Sequence, residues 1–306
     1  MAEAVVLPSV RAGGRPYDMV GRRRAWDQIL VALQEERGFS LELAMPEVGR
    51  EQRDVLLGLF DLPEESLWTS ARHSVRPDSH FAWVGYGYHR EGSVTLHRTF
   101  DLGPWGAASA GQAASSWIPT AEVTPLPPDL TAEWLPASHR LRTALGATGR
   151  ALVSLIASGL GCDPLMAAAR FQPDHSTMRI LEYPELGHPE SDQLRAGEHE
   201  DSGALTFIWS DAPGLQVRTA WGDWIDAEPD SWTVICGAVM SEMTGRALAA
   251  TTHRVIPGPG RRRSLAYFFE PSRTSSVLPW PAVGKDAPEP SRAQTYGPWW
   301  ARRHGA

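Results

Sequence analysis

With 306 residues, the chain is long enough for one large domain with a sizeable core or for two small domains. Hydrophobic residues make up 42% and charged residues 21%, which is ordinary for a soluble globular protein, and no apolar run approaches the roughly 18 residues of a membrane span. The net charge of −7 argues against a general nucleic-acid binder, because such a protein needs a positive surface to displace counterions.

Apolar residues recur at helical spacing in three stretches and predict three helices. The first contains Trp26, Ile29, Leu30 and Leu33 and ends before Gly38; the second contains Val55, Leu56, Leu59 and Phe60; the third contains Leu141, Leu145, Leu152, Leu155 and Ile156 and ends at Gly159. Between the second and the third, a stretch rich in Gly, Ala and Ser from Leu102 to Ser116 predicts a loop.

From about Met178 onwards, short β-prone segments follow one another, and Gly, Pro and Asp separate most of them. They are Met178–Tyr183, Leu205–Trp209, Leu215–Val217, Trp232–Cys236, His253–Ile256 and Ser264–Phe269. This pattern is typical of an antiparallel sandwich or barrel, here with a helical flank. No long linker divides the chain. We therefore predict one compact unit, with a helical or mixed region in residues 1–120 and a β-core with a carboxy-terminal tail in residues 121–306.

Features outside the predicted elements bear on the origin of the chain. Its amino terminus lacks the basic patch and apolar stretch of a secretion signal. The two cysteines, Cys162 and Cys236, lie far apart, so we expect a cytoplasmic protein without a disulfide scaffold. Lys285 is the only lysine among 29 basic residues, a skew that resembles the coding bias of a GC-rich bacterial genome.

Three residues in the β-rich half could hold a metal ion. In an extended segment, His199 and Asp201 would share one face with Glu200 turned away, and an imidazole with a carboxylate forms two thirds of a facial triad for Fe(II). His253 follows Asp201 by 52 positions, far enough for intervening strands to bring it back. Taken alone, the His199-Glu200-Asp201 segment could be a salt-bridging surface segment, and His253 could be a buried structural histidine.

A further pair of polar residues strengthens the metal interpretation. Arg262 and Ser264 lie two apart at the start of the next predicted strand, so they share a face. After a short turn at residues 257–260, that strand is expected to return beside His253. A guanidinium grips a carboxylate through two hydrogen bonds, and the serine hydroxyl can add one more. The alternative for Arg262 is a solvated turn of three arginines.

Taken together, His199-Glu200-Asp201, His253 and Arg262-Arg263-Ser264 resemble the isopenicillin N synthase-like branch of the 2-oxoglutarate and Fe(II)-dependent oxygenases. The segment Met178–Pro184 is similar to the strand of that family whose tyrosine precedes a proline, which places Tyr183 at that tyrosine. The chain departs from the family at Leu181, where many plant members have an asparagine, and at Cys236-Gly237-Ala238, where an Asn-x-Gly-Asp is usual.

This resemblance implies a fold, a set of cofactors and a class of reaction. The fold would be a double-stranded β-helix, or jelly roll, with flanking helices. His199, Asp201 and His253 would ligate Fe(II), while Arg262, Ser264 and Tyr183 would bind the distal carboxylate of 2-oxoglutarate as cosubstrate with O2. The expected activity is hydroxylation, desaturation or cyclisation of a small molecule, in bacterial secondary metabolism such as antibiotic biosynthesis.

Other functions stay open at the level of sequence. Isopenicillin N synthase uses its arginine and serine for a substrate carboxylate, so an Fe(II) oxidase that needs no 2-oxoglutarate is the nearest alternative. A zinc hydrolase could use the same three ligands, and a jelly-roll binding protein would use none of them. Pocket candidates are Trp83, Tyr86, Tyr88, Arg98, Trp105 and Trp117, and the tail with Trp280, Trp299 and Trp300 could form a lid. Neither the substrate nor the oligomeric state follows from the sequence.

Overall fold

A computed structural model describes residues 9–12, 19–43, 46–70, 73–74, 83–91, 94–103, 126–173, 175–185 and 193–304. Trp105, Trp117 and most of the predicted loop from Leu102 to Ser116 lie outside these residues. The helices are α1 (Met19–Gln34), α2 (Arg50–Leu57), α3 (Glu64–Trp68), α4 (Trp134–Gly159), α5 (Pro164–Ala169), α6 (Ala238–Met243) and α7 (Tyr296–Arg303). Within the described part of the chain, no helix has both the length and the apolar character that crossing a membrane requires.

Thirteen strands are described, and they form two sheets. The strands are β1 (Ser9–Ala12), β2 (Gly38–Leu43), β3 (His73–Ser74), β4 (Trp83–Glu91), β5 (Val94–Leu102), β6 (Thr177–Tyr183), β7 (Ala196–His199), β8 (Leu205–Ser210), β9 (Leu215–Arg218), β10 (Trp224–Asp226), β11 (Trp232–Cys236), β12 (His253–Val255) and β13 (Arg262–Phe269). The large sheet has the order β1-β2-β11-β8-β13-β6-β5-β4-β3, and the small sheet has the order β10-β9-β12-β7. Every pairing except that of β1 with β2 is antiparallel.

From β7 onwards the chain passes back and forth between the two sheets, as the predicted jelly roll requires, with β9 and β10 forming a consecutive pair in the small sheet. β8, β11 and β13 lie in the large sheet, whereas β7, β9, β10 and β12 form the small one. A cluster of buried apolar side chains lies between the sheets and includes Leu181, Ile208, Leu215 and Val255. The predicted fold is therefore confirmed, and each of the six predicted strands is present within two residues of its expected bounds.

The larger core lies on the other side of the large sheet, against the helices. The third predicted helix is α4, and four of its five predicted core residues, Leu141, Leu145, Leu152 and Ile156, are buried. α4 comes so close to β13 that a Cβ added at Gly149 would lie 2.7 Å from the Phe269 ring. A glycine is therefore needed at this crossing, and the helix supports the back of the strand that carries Arg262 and Ser264.

The amino-terminal region contains more β-structure than the helical periodicity predicts. β4 and β5 form a hairpin, and β5 pairs with β6, so the large sheet continues from the first predicted region into the second. Glycines at positions 85 and 87 interrupt the apolar pattern of β4, which explains why a simple alternation of side chains did not reveal this strand. The division at residue 120 remains a proposal.

Candidate metal centre and cavity

The two histidines of the predicted metal site face each other across a strand pair. His199 is the last residue of β7 and His253 is the first residue of β12, and the two are direct partners in the antiparallel register. Four strands, β8 to β11, lie between them in sequence, as the 52-residue spacing from Asp201 to His253 suggested. Asp201 lies just beyond the end of β7 rather than inside an extended strand, and its carboxylate still turns to the same side.

The three side chains bring their ligand atoms into one small space. One nitrogen or oxygen from each of His199, Asp201 and His253 lies within 4.8 Å of the others. His199 Nε2 lies 3.9 Å from Asp201 Oδ1, and His253 Nε2 lies 3.8 Å from Asp201 Oδ2. The His253 ring is buried, whereas half of the His199 side chain is exposed, so the cluster opens to one side.

Backbone carbonyls orient both imidazole rings. The His199 Nδ1–H donates to the Gly197 carbonyl at 2.8 Å, and the His253 Nδ1–H donates to the Thr251 carbonyl at 3.2 Å. Because a carbonyl can only accept, these bonds leave the lone pair on each Nε2, which faces the carboxylate. Burial lowers the pKa of His253, although Asp201 opposes this effect. The lowered pKa favours the neutral ring, which is the form that binds a metal.

Hydrogen bonds hold both the carboxylate and the backbone carbonyl of Asp201. The Thr206 hydroxyl donates to Asp201 Oδ2 at 2.6 Å, and the Ala238 amide donates to the Asp201 carbonyl at 2.8 Å. Residues 200–204, between β7 and β8, form the metal-site loop. Gly237 passes so close to this loop that an added Cβ would lie 2.1 Å from the Gly203 carbonyl oxygen. A glycine at position 237 is thus needed to seat the metal-site loop against the start of α6.

The carboxy-terminal helix contacts the metal-site loop on both sides of Asp201. Ser202 Oγ and His304 Nε2 lie 2.7 Å apart, and Arg303 forms a 3.4 Å ion pair with Glu200. Of the three tail tryptophans considered for a lid, Trp280 is buried in the core, and Trp299 and Trp300 are partly buried against it. The tail therefore packs beside the metal-site loop, and a lid movement remains a proposal.

Arg262, Ser264 and Tyr183 lie opposite the histidines, in the large sheet. β13 pairs with β6 and β8 and does not neighbour β12, so the expectation that Arg262 returns on a strand beside His253 was wrong. The Pro- and Gly-rich turn at residues 257–260 crosses from the small sheet to the large one. Arg262 and Tyr183 are register partners, which brings the guanidinium to 4.9 Å from the centre of the tyrosine ring.

The Arg262 guanidinium is buried with part of its hydrogen-bonding capacity unused. Its Nε donates to the Ala212 carbonyl at 3.1 Å, but Nη1 and Nη2 have no hydrogen-bond partner among the described residues. Burial lowers the pKa of Arg262, and Tyr183 and Asp211 oppose this only in part. Ser264 donates its hydroxyl to the Trp209 carbonyl at 2.6 Å, so only its lone pairs are free. An anion at the Arg262 nitrogens would satisfy them.

A cavity of about 190 Å³ joins the two halves of the site. All six predicted site residues line it, together with apolar side chains from both sheets. Three further polar residues that were not predicted as site residues also line the cavity, namely Arg179, His97 and Thr206. Arg179 binds the carboxylate of Asp101, with Nε 2.5 Å from Oδ1 and Nη2 3.3 Å from Oδ2.

None of the predicted candidates for the substrate pocket whose side chains the structure describes, Tyr86, Tyr88 and Arg98, lines the cavity. Tyr86 is fully buried in the core, and Arg98 pairs with the buried carboxylate of Glu182, so neither lines the cavity. Tyr88 packs edge-on against Trp68, with ring centres 5.4 Å apart. For Trp83 the structure describes the backbone alone. Alternation along β6 could have identified Arg179, because it shares a face with Leu181 and Tyr183.

His97 leads to a prediction about pH and stability. Burial lowers its pKa from 6.5 to about 4, although its Nδ1–H donates to the Arg195 carbonyl at 2.9 Å. Between about pH 6.5 and about pH 4, the unfolded chain therefore binds a proton that the folded protein does not. We expect the free energy of unfolding to fall as the pH decreases through this window, and His97→Gln to flatten the decline in urea titrations. An equally steep decline in His97→Gln would show that this histidine is not its source.

Comparisons with known proteins agree with this geometry. Residues 174–271 match the family model described as the 2OG-Fe(II) oxygenase superfamily. Gibberellin 2-beta-dioxygenase 3 of Arabidopsis thaliana is 30% identical over 122 residues, which are 38% of this chain and 36% of that protein. The 2-oxoglutarate-dependent dioxygenase gloF of Glarea lozoyensis is 28% identical over 72% of this chain and 74% of its own length.

The fold is similar to that of a solved structure over its whole length. A full-length protein of Neurospora crassa, solved in complex with alpha-KG, has a TM-score of 0.78 and 22% identity, and the match covers 100% of this chain and 98% of that one. Four curated relatives that are at least 30% identical are matched over only 32% to 43% of their own length. This chain thus spans less than half the length of these curated relatives. The match to the 2OG-Fe(II) oxygenase superfamily model spans residues 174–271, the part of the chain that contains all six site residues on which the predicted resemblance depends.

Proposed function

We propose that the protein is an Fe(II)- and 2-oxoglutarate-dependent oxygenase that oxidises a small molecule. The observation that carries this proposal is the buried Arg262 guanidinium, whose two terminal nitrogens lack partners among the described residues and which lines the same cavity as the three metal-ligand candidates. Leaving a buried cation without an acceptor is costly, so such an arrangement persists where a ligand supplies the acceptor. A dicarboxylate that also reaches the metal would do so.

The donor set of the metal site fits Fe(II). Two neutral imidazoles and one carboxylate on one side of an ion leave its other positions open, and this combination is typical of non-haem iron oxygenases. A structural zinc site would have four closed ligands. Among the described residues, the three donor side chains lie together and line the cavity. We therefore assign His199, Asp201 and His253 as the iron ligands.

Each surrounding residue has a distinct task in this proposal. Arg262 would grip the distal carboxylate of 2-oxoglutarate through Nη1 and Nη2, while its bond from Nε to the Ala212 carbonyl fixes the plane of the guanidinium. Tyr183, stacked against Arg262, would donate its hydroxyl to the same carboxylate. Ser264 would turn its hydroxyl proton from the Trp209 carbonyl to the ligand. When bound, the iron and its cosubstrate supply oxygen activation coupled to the decarboxylation of 2-oxoglutarate to succinate.

The finer points of the function are proposals as well. We infer that the reaction is a hydroxylation, desaturation or cyclisation, since all three begin with removal of a hydrogen atom from the substrate. The strong excess of arginine over lysine supports a bacterial source, and a role in secondary metabolism such as antibiotic biosynthesis rests on the resemblance to the isopenicillin N synthase-like branch. The relatives named above come from a plant and from fungi and do not bear on this point.

Anaerobic titration followed by exposure to O2 tests the proposal. The protein freed of metal is expected to bind one Fe(II) and then one 2-oxoglutarate, and to release succinate in the presence of O2 even without a primary substrate. Protein that binds Fe(II) and consumes O2 with substrate but forms no succinate would instead be an oxidase of the isopenicillin N synthase type. Activity restored by Zn(II) and not by Fe(II) would refute the oxygenase.

Thr206→Val tests whether the threonine holds the metal ligand. The substitution keeps the shape of the side chain and removes the hydroxyl that donates to Asp201 Oδ2. Partners of metal ligands typically contribute 10- to 100-fold to metal affinity, so we expect a loss of about 10-fold or more in Fe(II) affinity. Anaerobic calorimetry measures it. Thr233→Val, a buried threonine on the neighbouring β11, should leave the Fe(II) affinity unchanged.

A further inference from the structure

The charges that line the cavity cancel one another. Its described lining contains two arginines, Arg179 and Arg262, and one carboxylate, Asp201, and Arg179 is bound to a second carboxylate, Asp101. Its histidines add no charge, because His199 and His253 bind a metal as neutral rings and burial lowers the pKa of His97 to about 4. Two positive and two negative charges remain.

Arg179 is already neutralised by a partner that belongs to the wall. The Asp101 side chain is 9% exposed, and its two oxygens take the edge of the guanidinium formed by Nε and Nη2. Burial disfavours the charge of Arg179, but Asp101, with smaller contributions from Asp201 and Tyr183, outweighs this effect, so the pKa of Arg179 lies above its usual value. About a third of the side chain remains accessible, and the outer edge of the guanidinium is left to donate hydrogen bonds.

Arg179 and Arg262 lie at opposite ends of the cavity. In the register of β6 with β13, Arg262 pairs with Tyr183 and Ala266 pairs with Arg179, four residues further along β6. Four residues of a strand span about 13 Å. Thr206, whose hydroxyl donates to Asp201, pairs with Phe268 on β13, two residues beyond Ala266 and away from Arg262. Arg179 therefore lies toward the metal end, where a substrate must present the bond to be broken.

We propose that the substrate is an uncharged, largely apolar molecule that accepts a hydrogen bond from Arg179, for example through a carbonyl or amide oxygen. This inference rests on the proposed function. Fe(II) brings two positive charges and 2-oxoglutarate two negative ones, so the loaded cavity is neutral. A charged substrate would add an uncompensated charge to a cavity whose other walls include Leu181, Ile208 and Phe268, and a buried charge without a partner is strongly disfavoured.

Matched pairs of amides and acids test the charge of the ligand. The full-length protein is loaded anaerobically with Fe(II) and 2-oxoglutarate, and binding of nicotinamide and nicotinate, cinnamamide and cinnamate, and indole-3-acetamide and indole-3-acetate is followed by calorimetry. We expect the amides that bind to do so at least 10-fold more tightly than the corresponding acids. Tighter binding of the acids, or binding of no amide, would overturn the inference.

Asp101→Asn provides the decisive variant. It preserves the shape of the Arg179 partner but removes its charge, so Arg179 becomes an uncompensated cation at the metal end. The ratio of acid to amide affinity is expected to rise at least 10-fold, whereas Asp54→Asn, in an exposed pair with Arg50, should leave it unchanged. An unchanged ratio in Asp101→Asn would contradict the role given to Arg179. If the protein does not take up Fe(II) and 2-oxoglutarate in the first place, the proposed function fails.

Discussion

Replacing Asp201 with asparagine is expected to lower the affinity of the protein for Fe(II) by more than about 100-fold, beyond the range usual for partners of metal ligands. The carboxylate supplies the negative charge of the site, and each of its oxygens faces one histidine Nε2 at 3.8 to 3.9 Å. Asparagine keeps the volume and can still accept a hydrogen bond from Thr206, so the fold should be retained. Anaerobic calorimetry with Fe(II) measures the loss, and succinate formation should disappear with it.

Glu198→Gln is the matched control for the metal site. Glu198 lies on β7 immediately before His199. Its carboxylate pairs with Arg254 at 3.1 Å, outside the cluster of ligand atoms. Glu198→Gln removes one negative charge three residues from Asp201, so a general electrostatic effect on Fe(II) affinity would appear in both Glu198→Gln and Asp201→Asn. Wild-type Fe(II) affinity in Asp201→Asn, or an equal loss in both, would show that Asp201 is not a ligand.

Replacing Arg262 with glutamine is expected to raise the dissociation constant for 2-oxoglutarate at least about 30-fold, while Fe(II) binding stays near wild type. Loss of one partner from a buried pair of charges costs about 2 kcal/mol or more, which corresponds to this factor. The change is measured by titrating 2-oxoglutarate into the Fe(II)-loaded protein without O2. Arg262→Lys should recover only part of the affinity, because an ammonium group cannot form the planar double contact.

The neighbouring Arg261 provides the control for this variant. It is half exposed and reaches Asp61 on the surface, so Arg261→Gln should change the affinity for 2-oxoglutarate little. Ser264→Ala should have a smaller effect than Arg262→Gln, since the Ser264 hydroxyl already has the Trp209 carbonyl as a partner. Equal effects of Arg261→Gln and Arg262→Gln would point to a nonspecific attraction of anions and against the proposed carboxylate site.

Spacing along the chain, combined with the family resemblance, predicted which residues meet at the candidate metal site. His199 and Asp201 do face the same side, although Asp201 lies beyond the end of β7 and not in the extended strand that was expected. The distance to His253 left room for the four strands that lie between the two histidines. The sheet that carries Arg262 could not be predicted in this way. A turn of four residues can join neighbouring strands or cross between two sheets, and the packing of the whole β-core decides which of these occurs.

Pairings between distant segments were the part that the sequence did not reveal. Asp101 and Arg179 are 78 positions apart, and neither carries a local signal that points to the other. They meet because β5 pairs with β6, and β5 itself was not predicted, since the region around it was interpreted from its helices. The neutral state of His97 likewise depends on burial that only the assembled sheets produce.

Arg303 of α7 contacts Glu200, and His304, just after the helix, contacts Ser202, so the two contacts flank Asp201. Two binding events that share one loop obey thermodynamic reciprocity: whatever factor the docked helix contributes to metal affinity, the bound metal returns to the docking of the helix. With Fe(II) bound by the proposed ligands, any strengthening of metal binding by the docked helix would be matched by an equal strengthening of helix docking by the metal.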